Sequence, residues 1–262
     1  MTALFPKLVA IPLVGLAFLP LAASANEPAS EGRNVLIGMG VQTIPRYPGA
    51  NTNRTTVLPE VDTWRSGEPM GVESPDEAIS FALAGRRGSG LSAGPAFTFA
   101  PTRDADDIPG LPKVGFGVEA GAFIEAWPVA PIRLRGEMRQ AIGAHKGLTG
   151  DISADLVIRQ GNEGPIMTVG PRLRWGSAKH QRAYFGVPVT GAGSLPGYEP
   201  GSGIYAVGVT AGARIPLNRS FGLYGYIGYD RLTGGAADSP IVTNGSTDQY
   251  SAGLALTYRF RI

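Results

Sequence analysis

Residues 250–262 read YSAGLALTYRFRI, and apolar side chains alternate along this stretch with small or polar ones. In an extended chain Leu254 and Leu256 fall on one face, whereas Thr257 and Arg259 fall on the other. A period of two predicts a β-strand. The stretch is longer than a usual soluble strand of about 5–6 residues. It is long enough for a tilted strand that crosses a bilayer, which needs about 9–11 residues.

The same alternation recurs along most of the chain, with turn-forming residues between the alternating segments. The sequence therefore predicts about twelve strands, with a short third strand, and ten strands is the alternative. The predicted spans are 34–41, 55–64, 67–73, 77–84, 90–100, 113–126, 131–140, 149–160, 165–176, 203–215, 221–231 and 248–262.

The two faces of the predicted strands differ in chemistry. One face is apolar, and the other mixes small residues with arginines and carboxylates. This alternation is typical of strands that face lipid on one side and a barrel interior on the other. A soluble β-sandwich also has an apolar face, but its strands should be shorter. The predicted fold is all-β, an antiparallel up-and-down transmembrane β-barrel.

The connections between predicted strands separate into a short set and a long set. An even number of strands places both chain ends on the periplasmic side, as in bacterial single-chain barrels. The short connections are then periplasmic turns, at 85–89, 127–130, 161–164 and 216–220. The long connections become outer loops, at 101–112, 141–148, 177–202 and 232–247.

The first residues have the pattern of a secretory signal peptide. Lys7 precedes an apolar run over 8–21, and Ala23-Ser24-Ala25 fits the small-residue cleavage pattern. The sequence therefore predicts a signal peptide at 1–25 and a single barrel domain at 26–262. The predicted location is the outer membrane of a Gram-negative type of cell, in contact with its lipid.

Composition excludes several classes of function. The chain has no cysteine and a formal net charge of only +2, which argues against thiolate chemistry and against a nucleic-acid partner. Its two histidines, His145 and His180, fall in predicted outer loops, where we expect them to be solvated. A hydrolase would need a histidine beside a serine on the barrel wall. His180 near Ser177 is the only candidate for that arrangement, so we predict no catalytic residues, no cofactor and no enzyme.

An acidic run at Asp104, Asp106 and Asp107 offers oxygen ligands of the kind that calcium prefers. Such a run is more often a solvated loop, and we predict no metal site.

Charged residues on the inward face of three successive strands form the main candidate site. Neighbouring strands bring such side chains within pairing distance. They form either a packed ladder of ion pairs or an arginine-lined constriction that favours anions. Arginines outnumber carboxylates in this set, which predicts a residual positive potential. The set comprises Arg133, Arg135, Glu137, Arg139, Asp151, Asp155, Arg159, Arg172 and Arg174.

Several motifs follow one another along nearly the whole chain after residue 25. They are Tyr47-Pro48-Gly49, Arg103-Asp104-Ala105-Asp106-Asp107 with Pro109-Gly110-Leu111, Gly170-Pro171-Arg172-Leu173-Arg174-Trp175, Tyr184-Phe185-Gly186-Val187 with Leu195-Pro196-Gly197-Tyr198, Tyr229-Asp230-Arg231-Leu232 with Ala236-Ala237-Asp238-Ser239-Pro240-Ile241-Val242, and Leu256-Thr257-Tyr258-Arg259-Phe260. Each motif alone is weak, but in this order and spacing the set resembles the MipA/OmpV family of outer-membrane proteins.

The resemblance implies an outer-membrane location and no catalytic residues. It also implies a scaffold that brings a murein transglycosylase together with a murein synthase. A narrow, anion-favouring channel for small solutes is the alternative. The sharpest match is the outer-loop motif with Tyr229, Arg231, Asp238, Ser239 and Pro240. Within it, the Asp-Ser-Pro triplet has the composition of a turn, and the alternative is a loop that folds inward to gate the barrel.

Overall fold

A computed structural model describes residues 32–66, 70–86 and 88–262, apart from the side chains of residues 86 and 89. The predicted signal peptide, at 1–25, lies outside the described residues. The described chain forms one 12-stranded antiparallel sheet and three short helices. The predicted all-β antiparallel barrel is therefore confirmed.

Most of the strands have 11 to 14 residues, as the long alternating segments predict. The exceptions are the third and fourth strands, which have two and three residues. In chain order the strands are β1 Arg33–Pro45, β2 Asn53–Arg65, β3 Ile79–Ser80, β4 Ala84–Arg86, β5 Ser89–Phe99, β6 Gly117–Val129, β7 Ile132–Gly143, β8 Leu148–Arg159, β9 Ile166–Gly176, β10 Gly203–Pro216, β11 Phe221–Leu232 and β12 Asp248–Arg261.

The sheet curls into a nearly closed barrel. Its order is β2-β1-β12-β11-β10-β9-β8-β7-β6-β5, and β3 and β4 both pair with the free edge of β5. The first and last strands pair along their length, with Val35 opposite Phe260. Closure of this kind satisfies backbone N–H and C=O groups within the wall, as a membrane requires.

One predicted strand is wrong and another is shorter than predicted. Of the span 67–73, residues 67–69 lie outside the described residues and residues 70–73 form no strand. The predicted span 77–84 contains β3 and only the first residue of β4, which begins at Ala84. Residues 70–78 instead run inside the barrel, where Asp76 and Glu77 form ion pairs with arginines of the wall.

The outer face of the wall is apolar. Met39 is 70% exposed and Ile142 is 69% exposed, and both side chains point away from the barrel interior. Exposed large apolar side chains occur on each of the long strands. A continuous apolar belt is typical of a surface that meets lipid. Among the described residues, no helix has the length and hydropathy needed to cross a membrane.

The two ends of the barrel differ, as the sequence predicts. At one end the strands are joined by short turns at 130–131, 160–165 and 217–220. At the other end, long connections contain the helices α1 Ala178–Phe185, α2 Gly234–Ala237 and α3 Pro240–Thr243. We refer to these as the short-turn end and the long-loop end. The helices cover the long-loop end and pack against each other and against the β10–β11 wall.

Residues 70–78, here called the interior segment, enter the barrel from the short-turn end. The backbone N–H of Met70 donates to the carbonyl of Asn162. Val72 then packs in an apolar cluster with Leu36, Trp64 and Ile166. This apolar anchor places the polar part of the segment, Ser74 to Glu77, beside the charged inner face of the wall.

Candidate functional site

The centre of the candidate site is Arg133 on β7. Its side chain is fully buried and binds three carboxylates, with N–O distances of 2.7 Å to Glu77, 2.9 Å to Glu125 and 3.1 Å to Asp155. Asp155 on β8 is the direct cross-strand partner of Arg133, so the alternation of the two strands places them together. Glu77 comes from the interior segment. The group therefore ties that segment to three neighbouring wall strands.

A second group binds the interior segment to β9. Arg172 and Arg174 both contact Asp76, at 2.9 Å and 2.7 Å. Arg172 also pairs with Asp155 at 2.9 Å, and Arg174 pairs with its cross-strand partner Asp151 at 3.1 Å. Because Asp155 binds both Arg133 and Arg172, the two groups form one continuous network.

The network extends toward the long-loop end through β6 and β7. Arg139 contacts Glu119 at 3.1 Å and also pairs with Glu137 and Asp151. Arg135 contacts Glu137 at 2.6 Å. Each buried charge in this part of the network thus has an opposite charge beside it, which burial in a protein interior requires.

The structure brings together the predicted inward charges of β7, β8 and β9, with one exception. Arg159 has no hydrogen-bond or ion-pair partner among the described residues, and its Nη1 atom is buried. It lies near the short-turn end, away from the network. The charged groups that interact electrostatically with the Arg159 side chain are Arg214 and Asp62.

Sequence reasoning missed many of the charged residues of the barrel interior, both in the network and in a separate group around Arg214. With them included, carboxylates outnumber arginines in the described interior, so the predicted residual positive potential is wrong. Glu119 and Glu125 lie within a predicted strand and alternate with apolar residues, so their inward position could have been found from the pattern. The added residues are Glu60, Asp62, Asp76, Glu77, Glu119, Glu125, Asp230 and Arg214.

The interior segment packs closely against β9 and β10. The gap lined by Val72, Thr168, Gly212 and Arg214 has a volume of only about 10 Å³. A single water molecule needs about 10–15 Å³ of such volume. At this level the segment and these two strands leave no room for a wet path between them.

Arg103 anchors the helical cover at the long-loop end. Its buried guanidinium donates to the carbonyls of Ala183, Tyr184 and Pro112 at 3.0–3.1 Å. Two of these carbonyls belong to the last turn of α1, where a cation is favoured by the helix dipole. Burial is the main influence on this guanidinium and lowers the pKa of Arg103. The hydroxyl of Tyr184 donates to the Pro101 carbonyl at 2.7 Å.

Both histidine side chains are buried, His145 beneath α1 and His180 on the inner side of α1 itself, so the expectation that they are solvated is wrong. His145 accepts at Nδ1 from the N–H of Gly147, and its Nε2 lies 2.9 Å from Glu119. Nε2 therefore carries a proton. The ring of His180 packs edge-on against His145 at 4.8 Å and against Tyr205. Burial is the main cause that lowers the pKa of His180 to about 3.

Two residues of the predicted outer-loop motif lie on β11 and form hydrogen bonds with β12. The hydroxyl of Tyr229 donates to Asp248 at 2.7 Å, and Arg231 donates to the same carboxylate oxygen at 3.0 Å. These contacts lie at the base of the connection that contains α2 and α3.

The Asp-Ser-Pro triplet of that motif links the two short helices. Asp238 ends α2 and Pro240 begins α3. Ser239 is fully buried and caps α3 by accepting from the N–H of Ile241. Its hydroxyl also donates to the Phe185 carbonyl at 2.6 Å. The triplet thus forms a turn, as its composition predicts, and this turn is fixed to the end of α1.

The acidic run of the 100–116 connection is used in local contacts. Asp107 forms an ion pair with Arg46 and accepts from the backbone N–H of Asp104. Partial burial opposes ionisation, but the bond from Arg46 holds the pKa of the Asp107 carboxyl below its usual range. Within residues 32–66, 70–86 and 88–262, no cluster of three or more metal-ligating side chains occurs.

The solved structures that resemble this chain include three of low sequence identity. The outer membrane channel COG4313 from Pseudomonas putida F1 is 10% identical, with a TM-score of 0.41, and the match covers 93% of this chain and 100% of the channel. A bacterial polysaccharide outer membrane secretin is 9% identical, with a TM-score of 0.38 and coverages of 86% and 98%. A Pseudomonas aeruginosa FadL homologue is 9% identical, with a TM-score of 0.36 and coverages of 87% and 90%.

Comparison with protein families identifies the chain. No curated protein matches it significantly. The family described as "MltA-interacting protein MipA" matches residues 37–260, from the first strand of the barrel to the last. This outer-membrane β-barrel therefore belongs to the MipA family.

Proposed function

We propose that this protein is a closed, non-enzymatic scaffold of the outer membrane that links a murein transglycosylase to a murein synthase. The family description names an interaction with MltA, a murein transglycosylase. A scaffold needs a stable body and exposed contact surfaces, but it needs no open pore and no reactive group. The short turns would supply the contacts on the periplasmic side.

The interior segment, which ion pairs tie to the wall, is the observation that carries this proposal. The interior segment is held by Asp76 and Glu77, which bind Arg133, Arg172 and Arg174 on the wall. A channel needs a continuous wet path with binding sites that release their solute. Ion pairs that span the interior favour a structural body over such a path.

The buried histidines support the non-enzymatic part of the proposal. A nucleophile–histidine pair must reach a substrate. His145 forms a hydrogen bond with Glu119, and the side chain of His180, on the inner side of α1, is only 4% exposed. The nearby Ser177 accepts a hydrogen bond from the N–H of Leu148.

We further propose that residues 1–25 direct export and are then removed, so that residues 26–262 form the mature barrel. The apolar run and its small-residue end support this. N-terminal sequencing of the protein from a purified envelope should begin at Asn26. A sequence that begins at Met1 would contradict cleavage.

A narrow channel is the second candidate, and the way the interior segment is attached favours it. Asp76 and Glu77 bind the wall through side chains, so a change in their charge can release the segment. Its displacement would open a path lined by charged residues. The carboxylate excess described above gives no support to an anion preference.

Two measurements test the proposals together. In planar bilayers the wild-type barrel should give no steady conductance, and the double variant D76N/E77Q should conduct if the interior segment is a movable plug. In parallel, immobilised wild-type barrel should bind a purified MltA-type transglycosylase and then a murein synthase. Steady conductance of the wild type would overturn the closed body, and failure to bind the transglycosylase would overturn the scaffold.

A further inference from the structure

The barrel wall contains a seam between β2 and the β3–β4 edge. In the described part of the chain, no backbone pairing joins these two edges. Both edges run toward the short-turn end, so they are parallel neighbours, whereas the other neighbouring strands are antiparallel. A cavity of about 200 Å³ lies along the seam, and its lining comes from β2, from the interior segment and from residues 79–85.

The middle of the seam is apolar and open to the lipid side. Val61, Ile79 and Phe81 line the cavity and are each between 43% and 48% exposed. Trp64 also lines it but is buried. These exposed apolar side chains suit an occupant with an apolar chain.

The outer face of the seam carries two arginines at its short-turn end, whereas the carboxylates Asp62 and Glu73 line the same cavity on its interior side. Arg33 and Arg65 both line the cavity and are direct cross-strand partners on β1 and β2. Like charges placed opposite each other in a sheet repel. Arg33 contacts Thr63 through Nη2 at 3.3 Å, and both arginines are exposed. Two arginines at directly opposed positions suit an anion such as a phosphate, which arginine binds with paired N–H groups.

We propose that the seam binds an anionic phospholipid of the periplasmic leaflet. The phosphate would lie on Arg33 and Arg65, and part of one acyl chain would lie along Val61, Ile79 and Phe81. The charge of the arginine pair and the apolar lining together favour this occupant over the alternatives. Free phosphate would satisfy only the first part, and a zwitterionic lipid only the second.

Trp64 allows the proposal to be tested, since it lies in the cavity. The chain has three tryptophans, so a W127F/W175F background leaves Trp64 as the only one. The refolded barrel in dodecyl maltoside is titrated with lysophosphatidylglycerol, with lysophosphatidylcholine and with inorganic phosphate. We expect a saturable change in Trp64 fluorescence with lysophosphatidylglycerol, and at least about tenfold weaker binding of the other two, a difference of about 1.4 kcal/mol.

Variants separate the two halves of the site. R33Q/R65Q should weaken lysophosphatidylglycerol binding at least about tenfold, and F81Q should weaken it without changing the response to phosphate. R219Q removes another exposed arginine of the short-turn end, outside the seam, and should bind like the parent. If the background or a variant folds poorly, native mass spectrometry of the otherwise unchanged barrel gives the same comparison. Equal affinity for all three probes, or no loss in R33Q/R65Q, would overturn the proposal.

Discussion

Arg133 and Glu77 form a two-pronged ion pair, in which Nη1–Oε1 and Nη2–Oε2 are both 2.7 Å. The two residues lie on β7 and on the interior segment, and their side chains are 0% and 7% exposed. A buried guanidinium needs opposite charges or hydrogen-bond acceptors around it. The interior segment supplies one of these charges, so we infer that the wall and the segment depend on each other for stability.

Replacing Arg133 should therefore destabilise the barrel strongly. In Arg133→Met the carboxylates of Glu77, Glu125 and Asp155 lose a common partner. Breaking a buried ion pair from one side typically costs about 3–5 kcal/mol. The free energy of unfolding, measured by reversible urea unfolding of the refolded barrel in phospholipid, should fall by that amount.

Arg182 provides a matched control for this measurement. It pairs with Glu199 at 2.6 Å, but both side chains are about half exposed or more. Surface pairs contribute about 0–1 kcal/mol. Arg182→Met should therefore unfold nearly like the wild type, and a loss at Arg133 no larger than that at Arg182 would contradict a structural role for the network.

The wall was predictable because its pattern is local. On β7, Arg133 and Arg135 are buried while Leu134 and Met138 are exposed, and a period of two is enough to assign both faces. The helical cover and the histidines were not predictable in this way. His180 is buried because α1 folds back over the end of the barrel, and nothing in the local sequence signals that contact.

The interior segment shows the same limit more clearly. Asp76 and its partner Arg172 are 96 residues apart in sequence, so the contact depends on how the whole barrel closes. Two apolar residues, Met70 and Val72, mimic the start of a strand, but they pack in an inner cluster instead. Asp76 and Glu77 lie at the junction of the predicted spans 67–73 and 77–84, where the alternation gives no signal that the chain enters the barrel.

Close approach between strands gives a second prediction. At Gly121 on β6, an added Cβ would lie 1.9 Å from the Met138 carbonyl oxygen on β7. Backbone oxygen cannot move aside without parting the strands. Gly121→Ala should therefore reduce the folded fraction, seen as loss of the fast-migrating band of unheated protein on a gel.

Gly136, on the facing strand, is the matched control. An added Cβ there meets only the Ile124 side chain at 3.7 Å, which is an ordinary contact. Gly136→Ala should fold like the wild type. Equal folding of the two variants would show that β6 and β7 are not as close as the structure has them.

Arg103 gives a third prediction, for the cover at the long-loop end. Arg103→Met leaves the carbonyls of Ala183, Tyr184 and Pro112 without their charged donor. Hydrogen bonds to charged groups contribute about 1.5–3 kcal/mol each, so α1 should detach locally. Limited proteolysis should cut the 177–202 connection at least several-fold faster than in the wild type, while unfolding of the barrel wall should change little. Unchanged cleavage would mean that α1 is held by its apolar contacts alone.

The burial of His180 predicts that acid loosens the same cover. Its folded-state pKa of about 3 lies below the unfolded value of about 6.5. The unfolded cover therefore binds the extra proton between these values, and stability is full above pH 6.5 and falls as the pH drops toward 3. The groups facing His180 are His145, Glu119, Arg139 and the tyrosine rings of Tyr184 and Tyr205.

The expected slope is at most about 1.4 kcal/mol per pH unit for this one group. Hydrogen exchange of the amides of α1 should therefore speed up between pH 6.5 and pH 4, after correction for intrinsic exchange. His180→Phe keeps an aromatic ring at the site and removes the titration, so its corrected exchange should stay level over the same range. If the corrected exchange rate of the wild type does not change with pH, the prediction is wrong. If His180→Phe shows the same change as the wild type, the acid sensitivity belongs to another group. Because β-wall amides lie away from His180, their exchange serves as the internal reference in both proteins.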